Sequence, residues 1–217
     1  MKQLKKEQCR DMMRYVAEKI VENEPYLTEI DLKIGDGDHG TGMKRGFSHV
    51  IEVLKDYEPK TAEDVFRTVG ITLLDTMGGA SGVLFGTVFI SGLTKRTEKE
   101  YLELQDFADI FGQSLEALKK RGRAKVGDKT MVDALEPAVE ALKREAEQGE
   151  ILSIGLNEAE KAAKEGVEYT KKVKARFGRA KYFGGKAIGL QDAGATSVWI
   201  MFQAMNDWVQ EVNKEEQ

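Results

Sequence analysis

The sequence predicts an all-α protein, and two observations carry that expectation. Apolar residues recur at helical spacing along most of the 217 residues, interrupted by only three prolines, Pro25, Pro59 and Pro137. Alternating strand patterns are nearly absent, residues 151–154 (Ile-Leu-Ser-Ile) being the one weak candidate. Taken in order, the first helical stripe is Met12, Val16, Ile20 and Val21. Residues 25–32 make a poor strand. Phe47, Val50, Ile51 and Leu54 form a second stripe, and Val65, Val69, Leu73 and Leu74 a third. Residues 81–93 are apolar nearly all round, the pattern of a central helix. Further helices are predicted over 102–118, 131–142 and 156–173. The last begins at Ala195 and carries Trp199, Phe202, Met205 and Trp208. The expected total is about eight helices in one domain spanning 1–217, with a tail from Asn213 that frays.

Composition narrows the function. With 33 basic and 37 acidic residues the net charge is −4, so nothing invites a nucleic-acid backbone or an anionic membrane. The single cysteine, Cys9, excludes an intrachain disulfide and a cysteine-based zinc site. Two histidines, His39 and His49, leave little for a histidine-rich metal site. The polar N-terminus lacks the apolar core of a signal peptide, and no run reaches the roughly 18 apolar residues of a membrane span. The expected location is a reducing cytoplasm.

The chemistry concentrates in the segment Asp31-Leu-Lys-Ile-Gly-Asp36-Gly-Asp38-His39-Gly40. Carboxylates at i, i+5 and i+7 supply the hard oxygen ligands that Mg²⁺ takes alongside waters and substrate phosphates. A helical pattern starts directly after them, so a helix N-terminus can point an anion site at the same place. Three rival motifs fail on these and later residues. The dinucleotide fingerprint needs a preceding buried strand and tolerates acidic residues poorly at its variable positions. An EF-hand would need its bidentate Glu where Phe47 stands. Neither Gly127-Asp-Lys-Thr130 nor Gly185-Lys186 has the spacing of a P-loop. A solvated Asp-Gly turn is the bland alternative.

Four more glycine-rich stretches fall between predicted helices, at 78–82, 122–127, 178–185 and 189–194. Ser81 is a candidate N-cap for the apolar helix, and Asp128 for the helix after it. Arg179 suits bidentate bonding to phosphate. Residues 192–196 suit a helix entry. Loops at one end of a helical bundle can form a ligand-binding rim.

The order and spacing of Gly-Asp-x-Asp-His-Gly, Gly-Gly-Ala-Ser-Gly, Gly-Asp-Lys-Thr-Met, Gly-Arg-Ala-x-Tyr-x-Gly and Gln-Asp-x-Gly-Ala resemble the L subunits of dihydroxyacetone kinases over roughly residues 10–210. The resemblance implies a barrel of eight up-and-down amphipathic helices holding ADP or ATP and two Mg²⁺ ions in loops at one end. It implies Asp31, Asp36 and Asp38 as metal ligands. His39, Gly40, Thr41 and Gly42 would line the nucleotide site, with Ala80 and Ser81 at the phosphates. Gly122 and Met131 would border the base or ribose. Arg179 would meet the transferring phosphate, and Asp192, Ala193 and Gly194 would close the site. Gly42 stands where such proteins often have Asn, Leu190 where His is common and Ala193 where Pro is common. None of these departures touches the carboxylate trio.

The resemblance further implies a phosphoryl transfer to a short-chain ketose held covalently on a separate K subunit. The chain carries no K portion, so it is expected to be half of an enzyme, a monomer docking on a K dimer. ADP would stay bound and be rephosphorylated by a phosphohistidine M subunit of the phosphotransferase system. ATP exchange, a non-catalytic nucleotide-binding module and a metal-dependent hydrolase are the competing readings.

Overall fold

The computed structural model describes residues 1–94 and 97–215. Among them the all-α expectation holds. The helices are α1 (Lys6–Glu22), α2 (Glu24–Ile34), α3 (His39–Lys55), α4 (Ala62–Thr76), α5 (Gly79–Ile90), α6 (Leu104–Gly122), α7 (Val132–Glu147), α8 (Leu152–Thr170) and α9 (Ala193–Glu215). Two three-residue strands, β1 (Gln3–Lys5) and β2 (Tyr101–Glu103), pair antiparallel with Leu4 opposite Leu102. Three residues are too short for an alternation signal, which is why neither strand is legible in the sequence.

One helix exceeds the expected set. Residues 25–32, which make a poor strand, form most of α2. Its Pro25 sits in the first turn, where a missing N–H costs nothing, and Leu27, Ile30 and Ile34 repeat at helical spacing and are buried. The weak strand candidate at 151–154 is instead the start of α8, with Leu152 and Ser153 buried there. The expected fraying of the tail finds α9 continuing through Glu215; Glu216 and Gln217 lie outside the described residues.

Helix α1 packs on α3, and from α3 each helix packs on the next as far as α9, which returns to α1. These neighbours form a closed cycle of eight, with α2 added against α3 and α9. Aromatic rings from four helices meet in the core. Phe66 (α4) lies 5.9 Å from Phe107 (α6) edge-on and 6.2 Å from Phe89 (α5), and Phe111 (α6) lies 5.3 Å from Phe202 (α9). Such edge and tilted pairs add about 0.5–1.5 kcal/mol each beyond the area they bury.

Helices α7 and α8 show how one sequence feature sets a helix contact. Pro137 lies inside α7 and has no N–H for the Asp133 carbonyl one turn earlier. Gly166 of α8 approaches that carbonyl so closely that a Cβ would lie 2.1 Å from its oxygen. Gly166→Ala should therefore force the helices apart and cost about 1–3 kcal/mol. Thermal unfolding should show the loss, while Gly122→Ala, where a Cβ meets nothing within 4 Å, should leave the midpoint unchanged.

Candidate functional site

Four helix N-termini flank one cavity of about 600 Å³. They belong to α3, α5, α7 and α9, alternate members of the cycle. Each leaves backbone N–H groups without intrahelical partners, and each carries partial positive charge. Such an assembly favours an anion with several negative oxygens.

The carboxylates stand at the first of these termini. Asp31 is on the last turn of α2, and its Oδ2 accepts from the amides of Gly37 (2.8 Å) and His39 (3.3 Å). Asp31 thereby ties the loop to the start of α3. Asp38 occupies the N-cap position but makes no side-chain capping bond, so its carboxylate is left for other use. One oxygen from each of Asp31, Asp36 and Asp38 falls within 4.8 Å of the others. Partial burial, then the neighbouring Asp36 charge, pushes the Asp38 carboxyl above the usual carboxylate range. Arg179 Nε meets Asp36 Oδ2 at 2.6 Å and partly offsets this charge. The donor set is hard oxygen on a tight bend, which fits a Mg²⁺ ion.

Along α3, Thr41 and Gly42 line the same cavity, and a Cβ on Gly42 would meet nothing within 4 Å. The space that an Asn would fill there is open. His39 is drawn inward, its Nε2 lying 2.8 Å from Ser197 Oγ of α9. Burial lowers its pKa and keeps the imidazole neutral.

At the second terminus the expected cap is displaced. Helix α5 starts at Gly79 with Gly78 as N-cap, so Ser81 lies within the first turn. Gly78 has φ 71°, a left-handed conformation that glycine adopts without Cβ strain. Ala80 and Ser81 remain on the cavity wall.

At the third terminus Asp128 does not cap α7: Met131 holds the N-cap position without a side-chain capping bond, and Thr130 Oγ1 accepts from Val132 N at 3.2 Å. Asp133, in the first turn, reaches back to the loop, its carboxylate accepting from the amides of Gly127 (2.7 Å) and Thr130 (2.8 Å). Asp128 stays in the loop, accepting from Lys125 N and pairing with Arg176 at 3.4 Å. Met131 lines the cavity and is almost fully buried. The fourth terminus behaves as expected, with Asp192 Oδ2 accepting from Ala195 N at 2.8 Å. Ala193 and Gly194 border the cavity beside it. Burial pushes the Asp192 carboxyl up to about 7, against the capping amide that favours its charge.

Two of the expected site residues stand apart from the cavity. Gly40 faces α2, where a Cβ would lie 2.2 Å from Thr28 Oγ1 and 2.5 Å from the Glu24 carbonyl, so it sets a helix contact. Gly122 ends α6 away from the cavity lining. Arg45 and Lys129 do line the cavity and were missed by the sequence reading. Arg45 donates to the Met77 carbonyl at 2.5 Å, just before the α5 terminus. It lies four residues after Thr41, on the same helix face, and that spacing was the available signal. Lys129 sits inside the Gly127-Asp-Lys-Thr130 stretch, whose spacing is not that of a P-loop.

A helical fold that gathers three carboxylates and four helix N-termini around one cavity defines a candidate metal- and phosphate-binding protein. The chain belongs to the DAK2 domain family, whose model matches residues 33–207. It is 41% identical over 180 residues to the ADP-binding subunit DhaL of a PEP-dependent dihydroxyacetone kinase from Escherichia coli (strain K12), covering 83% of this chain and 86% of that one. It is 37% identical over 188 residues to the ADP-binding subunit DhaL of PEP-dependent dihydroxyacetone kinase 1 from Listeria innocua, covering 87% and 89%. The crystal structure of the dihydroxyacetone kinase from C. freundii in complex with AMP-PNP and Mg²⁺ is similar with a TM-score of 0.69 at 26% identity. That match covers 91% of this chain and 33% of the other, so this chain spans a third of that longer protein.

The raised Asp192 and Asp38 carboxyls have a consequence for the ligand-free protein. Both bind protons more tightly folded than unfolded, so their stabilising contribution is complete below about pH 4, the unfolded carboxylate range. It is lost as pH rises, for Asp192 through about 7. Asn can keep the capping bond without the charge. The unfolding midpoint of Asp192→Asn relative to wild type should therefore climb between pH 5 and pH 8. A constant difference across that range would contradict the buried-carboxylate account.

Proposed function

We propose that the chain is the nucleotide-binding phosphotransferase subunit of a dihydroxyacetone (glycerone) kinase, acting as one unit over residues 1–217. The observation that carries this reading is the acid trio set against phosphate-ready helix N-termini. The names of the E. coli and L. innocua relatives support the same activity.

In this reading Asp31, Asp36 and Asp38 hold two Mg²⁺ ions, and ADP or ATP lies in the cavity beside them. When bound, Mg²⁺ would supply positive charge against the phosphate oxygens. The amides at the start of α5, near Ala80 and Ser81, take phosphate oxygens without any reorganisation. Thr41, Gly42, Ala193 and Gly194 edge the nucleotide, and Met131 with Leu84 and Phe85 supplies an apolar wall for the base. His39, neutral and held by Ser197, orients the start of α3. Gly40 acts through packing, and Gly122 is left out of this set.

Arg179 is the transferring-phosphate residue. It is 69% exposed in its side chain and paired with Asp36. Its exposed guanidinium can take phosphoryl oxygens, where it would stabilise the charge developing as the phosphorus–oxygen bond to the nucleotide breaks. The phosphoryl group passes to a primary hydroxyl of dihydroxyacetone or a similar ketose on a K subunit, which also supplies the base for the hydroxyl proton. A cytoplasmic phosphohistidine M subunit then restores the nucleotide in place, and this chain docks as a monomer on a K dimer.

The test is transfer of labelled phosphate from bound nucleotide to dihydroxyacetone with a K subunit present. Transfer is expected, and Arg179→Ala should lower its rate about 10²–10³-fold, the scale of losing one preorganised donor, with little change in ADP affinity. Equal loss of both would make Arg179 a binding residue only. Nucleotide binding with no transfer to any short ketose would favour a non-catalytic module.

A further inference from the structure

The segment between α8 and α9 brings Phe177, Gly178, Arg179 and Ala180 to the cavity. It contains no α-helix; its regular part is a 3₁₀ stretch, Arg179–Ala187, interrupted at Gly184. Its own apolar cluster is small: Ile34, Ala175, Ala180 and Ala187 are buried together with Phe183 and Leu190 packed on them, and Phe177 reaches the main core. So modest a set of apolar contacts leaves the placing of Arg179 dependent on polar ties.

Arg176 ties the middle of the segment to Asp128, its N donating to that carbonyl at 3.1 Å, and the remaining ties lie at the neck. Gly189 N donates to the Lys171 carbonyl at 2.7 Å, and Asp192 N to Thr170 Oγ1 at 3.0 Å. Between these bonds lies the ammonium of Lys129. Its Nζ donates to the Thr170 carbonyl at 2.6 Å and to the Leu190 carbonyl. Thr170 ends α8, and Leu190 closes the segment, so one side chain from a third loop grips both ends. The Thr170 carbonyl lies at a helix C-terminus, where a cation is favoured.

Lys129 is unusual for an incidental contact. It is 1% exposed and has φ 58°, in the left-handed region that non-glycine residues seldom occupy. Burial lowers its pKa, against the charges of Asp192 and Asp133. A desolvated cation on a strained backbone persists only where the surroundings compensate it, here through two carbonyls and two carboxylates.

We infer that Lys129 is a positioning residue that clasps the neck of segment 171–191 and so places Arg179 over the site. The inference rests on the transfer role proposed for Arg179. Lys129→Met keeps the side chain's length and removes its donors. Amide hydrogen exchange of the ligand-free full chain should then quicken by about ten- to a hundredfold in 171–191, the scale of losing charge-assisted hydrogen bonds, with the α-helices unchanged. Phosphate transfer should fall through kcat more than through KM. In an Arg179→Ala background the same substitution should cost nothing further, because it acts through that residue. Unchanged exchange in 171–191, or additive losses in the double variant, would overturn the clasp. Should Lys129→Met fail to fold, the wild-type Nζ protons decide: slow solvent exchange of the Lys129 ammonium by NMR is expected, and fast exchange would overturn the clasp. If wild type transfers no phosphate, the kinase reading fails while the exchange data still judge the clasp.

Discussion

Like charges held close together govern this structure. Three carboxylates converge within 4.8 Å where α2 gives way to α3, and Asp192 adds a fourth to the wall of the same cavity. Nothing in the fold neutralises them fully. Arg179 offsets Asp36, Asp31 is satisfied by two amides, and Asp38 is left with a raised pKa. The helix N-termini around them carry the opposite sign but are spread over the cavity wall. A cation on the carboxylates together with an anion on the amides satisfies both sets at once. That pairing is the metal–phosphate chemistry of a nucleotide's polyphosphate end.

The closed order of helix neighbours is what makes the pairing available. Helices α3, α5, α7 and α9 are alternate members of the cycle, and their starts meet at one cavity. The loop that precedes each start carries the residues that set the site. Capping is delegated so that site groups stay free: Asp31 serves α3 in place of Asp38, and Gly78 starts α5 in place of Ser81. A conventional cap by Asp38 would have turned its carboxylate onto its own helix.

The sequence disclosed the helices with long stripes, and it disclosed the trio because carboxylates and glycines alternate there at a spacing few bends require. It hid α2 because the stripe is short and opens on a proline, although Pro25 in a first turn and Leu27, Ile30 and Ile34 are the signs of a helix. It hid the strands because three residues carry no period. Motif alone places Gly40 and Gly122 at the site; in the structure Gly40 packs on α2, and Gly122, at the end of α6, is not among the residues lining the cavity. Arg45 and Lys129 escaped because their importance depends on carbonyls distant in sequence, Met77 for one and Thr170 and Leu190 for the other. Motif spacing registers neighbours along the chain, and these contacts cross it.

The most direct test of the central claim is to denature freshly purified protein and identify what it releases. The account predicts Mg²⁺ together with ADP near one nucleotide per chain, or, if the nucleotide exchanges, an empty protein that binds added Mg-ADP or Mg-ATP reversibly. A protein that carries neither and binds neither would contradict the metal–phosphate site and leave the three aspartates as an exposed acidic bend.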